Sequence, residues 1–572
     1  MSKLRLVART AGLLASAATV SWAGGAFAQA VERYLPPAPQ SQPVTPAPAN
    51  IGPIDQDATP IGPVLSGLYL LGPTDALEPP AAGLETAKVK RIDTPEGRAV
   101  LAPFFGQPLS RKLIGQIEAA VARYYRRHGH PFISLSTPEQ NITTGVLQVR
   151  VIEFHAGQVR VKGAKSADEI RDGVRLKPGE EIDADQLAQD LDWLNRYPFR
   201  HVEAVFSPGD GLGQSDLTLQ TTETRPVHVY AGYSNSGSAE TQWDRYFVGA
   251  SIGGLGVPGS LASYQFTASP NFYSGSSDPG YLSHGVRFSV PTGERQDVEG
   301  TFDYVEMNSS TQPSLLTRQT IEELTLGYRS AISNFIALPG DLTGGVEIKS
   351  LSQKTFFEGA DAQNGLAEVY QLYGGYSDAW SDRIGHGDLS LTVHVSPGGI
   401  DPRNSATNFS TFSAGRITSA TYAYADLQAD QTFRLPNRWT WSESFVAQYG
   451  TGGLPQTEQM AVGGQSLVRG YSIDDGSFDN GFVLRSELHA PTFTLGQGQW
   501  VDGAAPYAFF DFGHGWERVV HTHAAPASIG AGLNDQLTAH VTASLDYAYA
   551  LSSALETRSG DSRLDAQVTI GF

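Results

Sequence analysis

Leu564-Asp565-Ala566-Gln567-Val568-Thr569-Ile570-Gly571-Phe572 ends the chain, and its strict alternation decides how the whole of residues 225–572 is read. Leu564, Ala566, Val568, Ile570 and Phe572 fall on one face of an extended segment, with Asp565, Gln567 and Thr569 on the other, because successive side chains of a strand point to opposite sides. A strand set between lipid and a wet lumen requires that division. Leu389, Leu391, Val393 and Val395 repeat it against Asp388, Ser390, Thr392 and His394. Leu537 to Leu551 is the clearest case of the alternation: Leu537, Ala539, Val541, Ala543, Leu545, Tyr547, Tyr549 and Leu551 oppose Thr538, His540, Thr542, Ser544 and Asp546. A tilted membrane strand takes about 9 to 11 residues, and with turns roughly 20 to 22 residues per strand predict a transmembrane antiparallel β-barrel of about 16 strands. Around Trp439 to Tyr449, Glu443 falls on the mostly apolar face, so that strand is either bulged or close to an interface. Tyr422, Trp380, Trp439 and Trp441 are candidates for aromatic girdles.

Composition agrees with a barrel. The chain has 62 Gly, 23 Tyr, 26 Phe and 8 Trp with only 17% charged residues. After the N-terminal segment no stretch reaches the roughly 18 to 20 apolar residues that a spanning helix needs. The negative mean hydropathy of -0.22 is what alternating lumen-facing positions produce. The rival for this half is a soluble β-sandwich enzyme. Cysteine is absent, which excludes thiol catalysis and thiolate metal sites. A net charge of -19 argues against a nucleic-acid partner, which would call for a basic patch.

The N-terminus gives an address. Lys3, Arg5 and Arg9 precede an apolar run from Ala11 to Val20, and Ala26-Phe27-Ala28 fits a small-residue cleavage site; residues 1–28 therefore read as a secretory signal peptide. Residues 29–63 are Pro/Ala-rich, as in Tyr34-Leu35-Pro36-Pro37-Ala38-Pro39. They read as an extended linker or plug-like tail.

Residues 64–224 change to an α/β pattern that runs twice. In residues 64–154, Val64 to Leu71 is a strand candidate, and Leu113, Ile117, Ala120, Val121 and Tyr124 recur at helical spacing within Leu109 to His128. Gly145 to Phe154 then alternates. In residues 155–224, Gly157 to Val161 is a strand, and Ala184 to Tyr197 is a helix opening near Asp183 with Leu187, Leu191 and Leu194 along one face. Val202 to Phe206 and Leu217 to Thr221 are further strands. Tyr124-Tyr125-Arg126-Arg127-His128-Gly129-His130-Pro131-Phe132 in the first unit and Asp192-Trp193-Leu194-Asn195-Arg196-Tyr197-Pro198-Phe199-Arg200 in the second resemble POTRA domains, in particular the two units of two-partner secretion transporters.

Two short strings carry the functional reading. Gly463-Gly464-Gln465-Ser466-Leu467-Val468-Arg469-Gly470-Tyr471 lies in a long polar loop, and Phe509-Phe510-Asp511-Phe512-Gly513 lies in a strand. Alternation puts Phe509, Asp511 and Gly513 on one face, so if Phe510 and Phe512 meet lipid, Asp511 points into the lumen. A buried carboxylate calls for a cation or several donors, and the arginine fork suits it. Arg469 is the expected partner, with Gly470 turning the loop beside the wall and Tyr471 packing with its hydroxyl wet. The bland alternative is a stapling ion pair with no part in transport.

A V/L-R-G-Y loop tip followed by an F-x-D-x-G strand is similar to the hallmark of the POTRA-barrel superfamily, which holds outer-membrane insertases and two-partner secretion transporters. The resemblance implies that the sixth outer loop folds back into the lumen, with Arg469 on Asp511 and Gly470, Tyr471, Phe509 and Gly513 in support. Two POTRA-like units favour the secretion branch, of the hemolysin activation/secretion type. The resemblance also implies a bacterial outer-membrane protein with its POTRA-like region, residues 64–224, in the periplasm. That region would bind a large unfolded exoprotein of cytolysin or adhesin type, which passes through the barrel without nucleotide hydrolysis, cofactor or metal. Outer-membrane lipids and the barrel-assembly machinery are further implied partners. An insertase for other barrels and a passive diffusion pore are the rivals.

Other strings are weaker. Asp511-Phe512-Gly513 lacks companion kinase motifs, and Gly253-Gly254-Leu255-Gly256 lacks the Lys-Ser/Thr ending of a phosphate loop. His128/His130 and His521/His523 read as surface pairs, and Asp474-Asp475 as a solvated loop.

Overall fold

In the computed structural model, residues 54–572 are described apart from 277, 313, 314, 337, 383, 414 and 494–502. Residues 1–28, expected to be a signal peptide, and most of the 29–63 segment lie outside them. Contacts divide the chain between Thr224 and Arg225 into two compact units.

The first unit contains two helix-backed sheets. In one, Gly83–Glu85, Gly67–Leu71, Val146–Glu153 and Ile133–Ser136 lie side by side in that order. The helix Arg111–Arg127 covers it, opened by Ser110, whose hydroxyl accepts from the Leu113 N–H at 3.2 Å. Its Leu113, Ile117 and Val121 pack on Leu68, Leu70, Leu147, Val149 and Val151. Helical spacing on one side and alternation on the other thus converge on one core.

The other sheet runs His155–Lys162, Gln214–Glu223, Arg200–Pro208. Over it lies the helix Ala184–Asn195, capped by Asp183, which accepts from the N–H groups of Asp185 and Gln186 at 2.9 and 3.0 Å. Leu187, Leu191 and Leu194 meet Val202, Leu217 and Leu219. Within this unit Arg200–Pro208 is an edge strand. The Asn195 side chain grips it at Val202, donating to the carbonyl at 3.0 Å and accepting from the N–H at 2.7 Å. Val202 therefore turns its peptide groups away from the neighbouring strand, and by alternation Ala204 and Phe206 do the same.

The second unit is a closed antiparallel barrel of sixteen long strands. Strand 1 (Val227–Ser234) pairs with strand 16 (Ser562–Gly571), so no edge faces lipid. Its outside is apolar: Val248, Phe302, Val346, Leu391, Phe510, Ile529 and Tyr547 are all exposed. Among the described residues no helix is long and apolar enough to cross a membrane. Connections 1–2, 3–4 and so on lie at the end of the barrel opposite the first residue of strand 1. Residues 451–479, between strand 11 (Thr440–Gly450) and strand 12 (Asn480–His489), form the sixth of these connections, loop 6.

Two readings of the sequence need correction, and a third is narrowed to one of its alternatives. Leu537 to Leu551 is not one strand: strand 14 (Ala527–Thr538) and strand 15 (Val541–Ala550) meet at a turn of Ala539 and His540. A two-residue turn keeps odd positions outward on both sides, so the alternation runs through it unbroken. Strand 11 keeps its register past Glu443, which excludes a bulge. Glu443 sits instead close to the strand's first residue, beside exposed Trp441, accepting from Ser486 Oγ at 2.8 Å. Tyr422 belongs to no girdle, because it is buried inside the barrel, whereas Trp380, Trp439 and Trp441 are exposed.

Leu191 is fully buried, so Leu191→Ala will destabilise the second sheet by about 2 to 5 kcal/mol. Urea titration followed by far-UV circular dichroism should show an earlier transition for the α/β unit with the barrel transition unmoved.

Candidate functional site

Loop 6 does not project into solvent. Met460–Ala461 pairs antiparallel with Ser477–Phe478, and the segment between them is folded against the inner wall. Leu467, Val468 and Tyr471 pack there on Val446, Val483 and Ala550. Strand 13 (Ala505–Trp516) brings Tyr507, Phe509, Asp511 and Gly513 to the inner face at every second residue, and all four are buried there. Phe510 on the alternate face is exposed.

Arg469 is 1% exposed and Asp511 0%. Two parallel bonds join them, Nε to Oδ2 at 2.7 Å and Nη2 to Oδ1 at 2.8 Å, and the Arg469 backbone N–H adds a third at 3.1 Å. Nη1 lies 2.8 Å from Glu487 on strand 12 and 3.7 Å from Asp546 on strand 15. The guanidinium carbon stands 3.5 Å from the centre of the Phe509 ring, a desolvated cation–π contact of about 2 kcal/mol. Tyr507 holds Asp546 through its hydroxyl at 2.5 Å. One cation thus meets three carboxylates and an aromatic face.

Close approach of loop to wall depends on small residues. Gly470 has φ +88°, a left-handed conformation that glycine adopts without strain. A Cβ on Gly513 would lie 3.0 Å from Val468 and 3.3 Å from Val483. Tyr471 departs from its expected place: its hydroxyl is not wet but donates to the carbonyls of Ala527 at 2.8 Å and Ser552 at 2.7 Å. The ring is long enough to carry the hydroxyl through the packed layer to strand 14 and the connection beyond strand 15.

Sequence reasoning brought together Arg469, Gly470, Tyr471, Phe509, Asp511 and Gly513, and the fold places all six in one cluster. It missed Glu487, Tyr507 and Asp546, although Tyr507 shares the inward phase of Phe509 and Asp511. It also misread Asp474-Asp475. Asp475 is fully buried, accepting from the N–H groups of Ser472, Glu556 and Thr557 at 2.8, 2.8 and 2.7 Å. It ties loop 6 to the connection after strand 15. Asp479, equally buried, accepts from Arg416 at 2.9 Å and from the Arg518 N–H at 3.2 Å, binding two more connections.

Comparison with known proteins gives this geometry relatives. Residues 342–534 match the model of the haemolysin secretion/activation protein ShlB/FhaC/HecB, and residues 80–153 match the ShlB-type POTRA domain. The outer membrane transporter CdiB of Escherichia coli is 25% identical over 433 residues, covering 71% of this chain and 68% of the relative. The heme/hemopexin transporter protein HuxB of Haemophilus influenzae is 20% identical over 477 residues, 78% of each. In fold the chain is similar to solved CdiB from Escherichia coli (TM-score 0.68, 20% identity, 92% of this chain and 94% of that one) and from Acinetobacter baumannii (TM-score 0.57, 14% identity, 93% and 95%). The chain is therefore similar, in both its barrel and its α/β unit, to haemolysin secretion/activation proteins, the outer-membrane transporters of two-partner secretion.

Proposed function

We propose that this transporter takes an unfolded exoprotein at its α/β unit and passes it through the barrel by moving loop 6 off Asp511. In this reading residues 1–28 are removed as a signal and residues 29–63 are a tail. Residues 64–154 and 155–224 serve as two periplasmic domains ahead of the barrel of residues 225–572. The observation that carries the reading is a closed, polar-lined barrel whose interior is occupied by a long loop held through a forked, buried ion pair.

Capture is supported by the edge strand Arg200–Pro208. The peptide groups of Ala204 and Phe206 point away from their own sheet, so an extended chain can add there as a further strand. Such pairing draws its affinity from main-chain hydrogen bonds and tolerates varied sequence. Net direction comes from folding of the exoprotein outside, and neither a nucleotide nor catalysis by this chain is required.

Release of loop 6 is supported by the charges left behind. When Arg469 departs, Asp511 keeps Arg485 at 3.9 Å, and Glu487 keeps Arg485 at 3.1 Å and His489 at 2.8 Å. Breaking a buried pair is costly mainly because it strands a charge, and here Arg485 remains beside both Asp511 and Glu487. The insertase reading predicts that depletion lowers many barrel proteins at once. The pore reading leaves the α/β unit without work.

Arg469→Ala will insert, migrating as a heat-modifiable barrel, but export of the co-expressed exoprotein will fall about tenfold with loss of the docked loop position; export at the normal level would reduce the pair to a staple. Deleting residues 64–224 will abolish export while the barrel still conducts ions in planar bilayers. Gly513→Val will push Val468 from the wall and undock the tip, which trypsin cleavage after Arg469, blocked in the parent by burial, will report.

A further inference from the structure

The Arg469 cluster is not alone in holding loop 6 to the wall through a buried charge. Glu458, earlier in the same loop within the short turn Gln456–Glu458, is 1% exposed. Its carboxylate accepts from Lys349 Nζ at 3.0 Å, Gln371 Nε2 at 2.9 Å and Tyr424 Oη at 2.6 Å. Gln448 of strand 11 also donates to its backbone carbonyl at 2.9 Å. The three side chains come from strands 7 (Asp341–Phe357), 8 (Ala360–Ser381) and 10 (Tyr422–Arg434).

Arg469 and its neighbours instead dock on strands 12 to 15. Strand 7 carries Lys349 and strand 13 carries Asp511, six strands apart in the ring of sixteen. Loop 6 therefore bridges the lumen, gripping opposite walls with opposite charges: a carboxylate on one side, a guanidinium on the other.

The two grips share a further property. Lys349 keeps Glu323 of strand 6 (Leu315–Ala331) at 3.6 Å, and the two residues are direct cross-strand partners. Departure of Glu458 thus leaves Lys349 compensated, as departure of Arg469 leaves Asp511 beside Arg485. A staple selected for permanence has no use for a reserve partner at each end, because its charges are never parted.

We propose that Glu458 is a positioning residue for export: it is the second, opposite-wall anchor of loop 6, and both anchors must let go before the lumen admits a chain. The proposal rests on the reading of loop 6 as a moving element, but it concerns a different contact. With one anchor broken, loop 6 swings from the other and clears only part of the opening.

The chain has no cysteine of its own, so an introduced pair can be tethered selectively. In the full-length transporter, Glu458→Cys with Lys349→Cys, bridged by a reducible bis-maleimide, should lose export of the co-expressed exoprotein to below about a tenth of the unbridged level. A reductant applied to the same cells should restore it, which shows the barrel to be folded. Export unchanged by the bridge overturns the proposal. Glu458→Gln, which keeps the side-chain shape but removes the charge, should raise open-state occupancy in planar bilayers about tenfold, and an occupancy equal to the parent's counts against it. The bridge leaves Arg469 and Asp511 untouched, so its outcome judges the Glu458 anchor alone, while Arg469→Ala judges the other.

Discussion

A backbone crossing hydrocarbon finds no water for its N–H and C=O groups, so every one must pair within the protein. Here sixteen strands answer that demand by closing on themselves, strand 16 against strand 1. Closure creates an inside as well as an outside, and alternation assigns every second residue to it. The inward positions hold Lys349, Glu347, His394, Asp426, Glu487, Asp511 and Asp546, all buried or nearly so. An apolar lumen could not have held loop 6 through charge.

The loop exploits that wall by matching it. Arg469 brings a cation to carboxylates on strands 12, 13 and 15, and Glu458 brings a carboxylate to donors on strands 7, 8 and 10. Asp475 and Asp479 add contacts to other connections at the same end. The apolar tip of Leu467, Val468 and Tyr471 supplies burial that polar contacts alone would not. Such a loop is held by burial and charge together, and each anchor point on the wall keeps a second charged neighbour, Arg485 beside Asp511 and Glu323 beside Lys349.

Much of this was legible in the sequence. Period-two alternation, most cleanly in Leu564 to Phe572, exposed the barrel, and helical spacing exposed the two longer α/β helices to within a few residues, while the short helices Pro95–Leu101 and Ala167–Asp172 offered too few turns to show a period. The Arg469–Asp511 pairing was legible because strand parity aims Asp511 inward, where it needs a cation or several donors, and the resemblance of both strings to the superfamily hallmark pointed to Arg469. What failed had local causes. A two-residue turn conserves parity, so Ala539-His540 was invisible to an alternation test. Glu458, Asp475 and Asp479 looked like ordinary loop acids, since burial of a loop residue depends on where the loop folds. Lys349 shared its phase with the strand's inward residues, but nothing in a single chain marks its partner, which lies on a distant loop.

The central claim is that loop 6 moves off the wall while a chain is exported. Because the native chain lacks cysteine, spin labels at Ser466→Cys and at one outward strand position can report the distance between tip and wall. The account predicts a single short distance in the resting transporter and a second, longer population when an exoprotein is arrested in transit. One unchanged short distance in the arrested complex would contradict it.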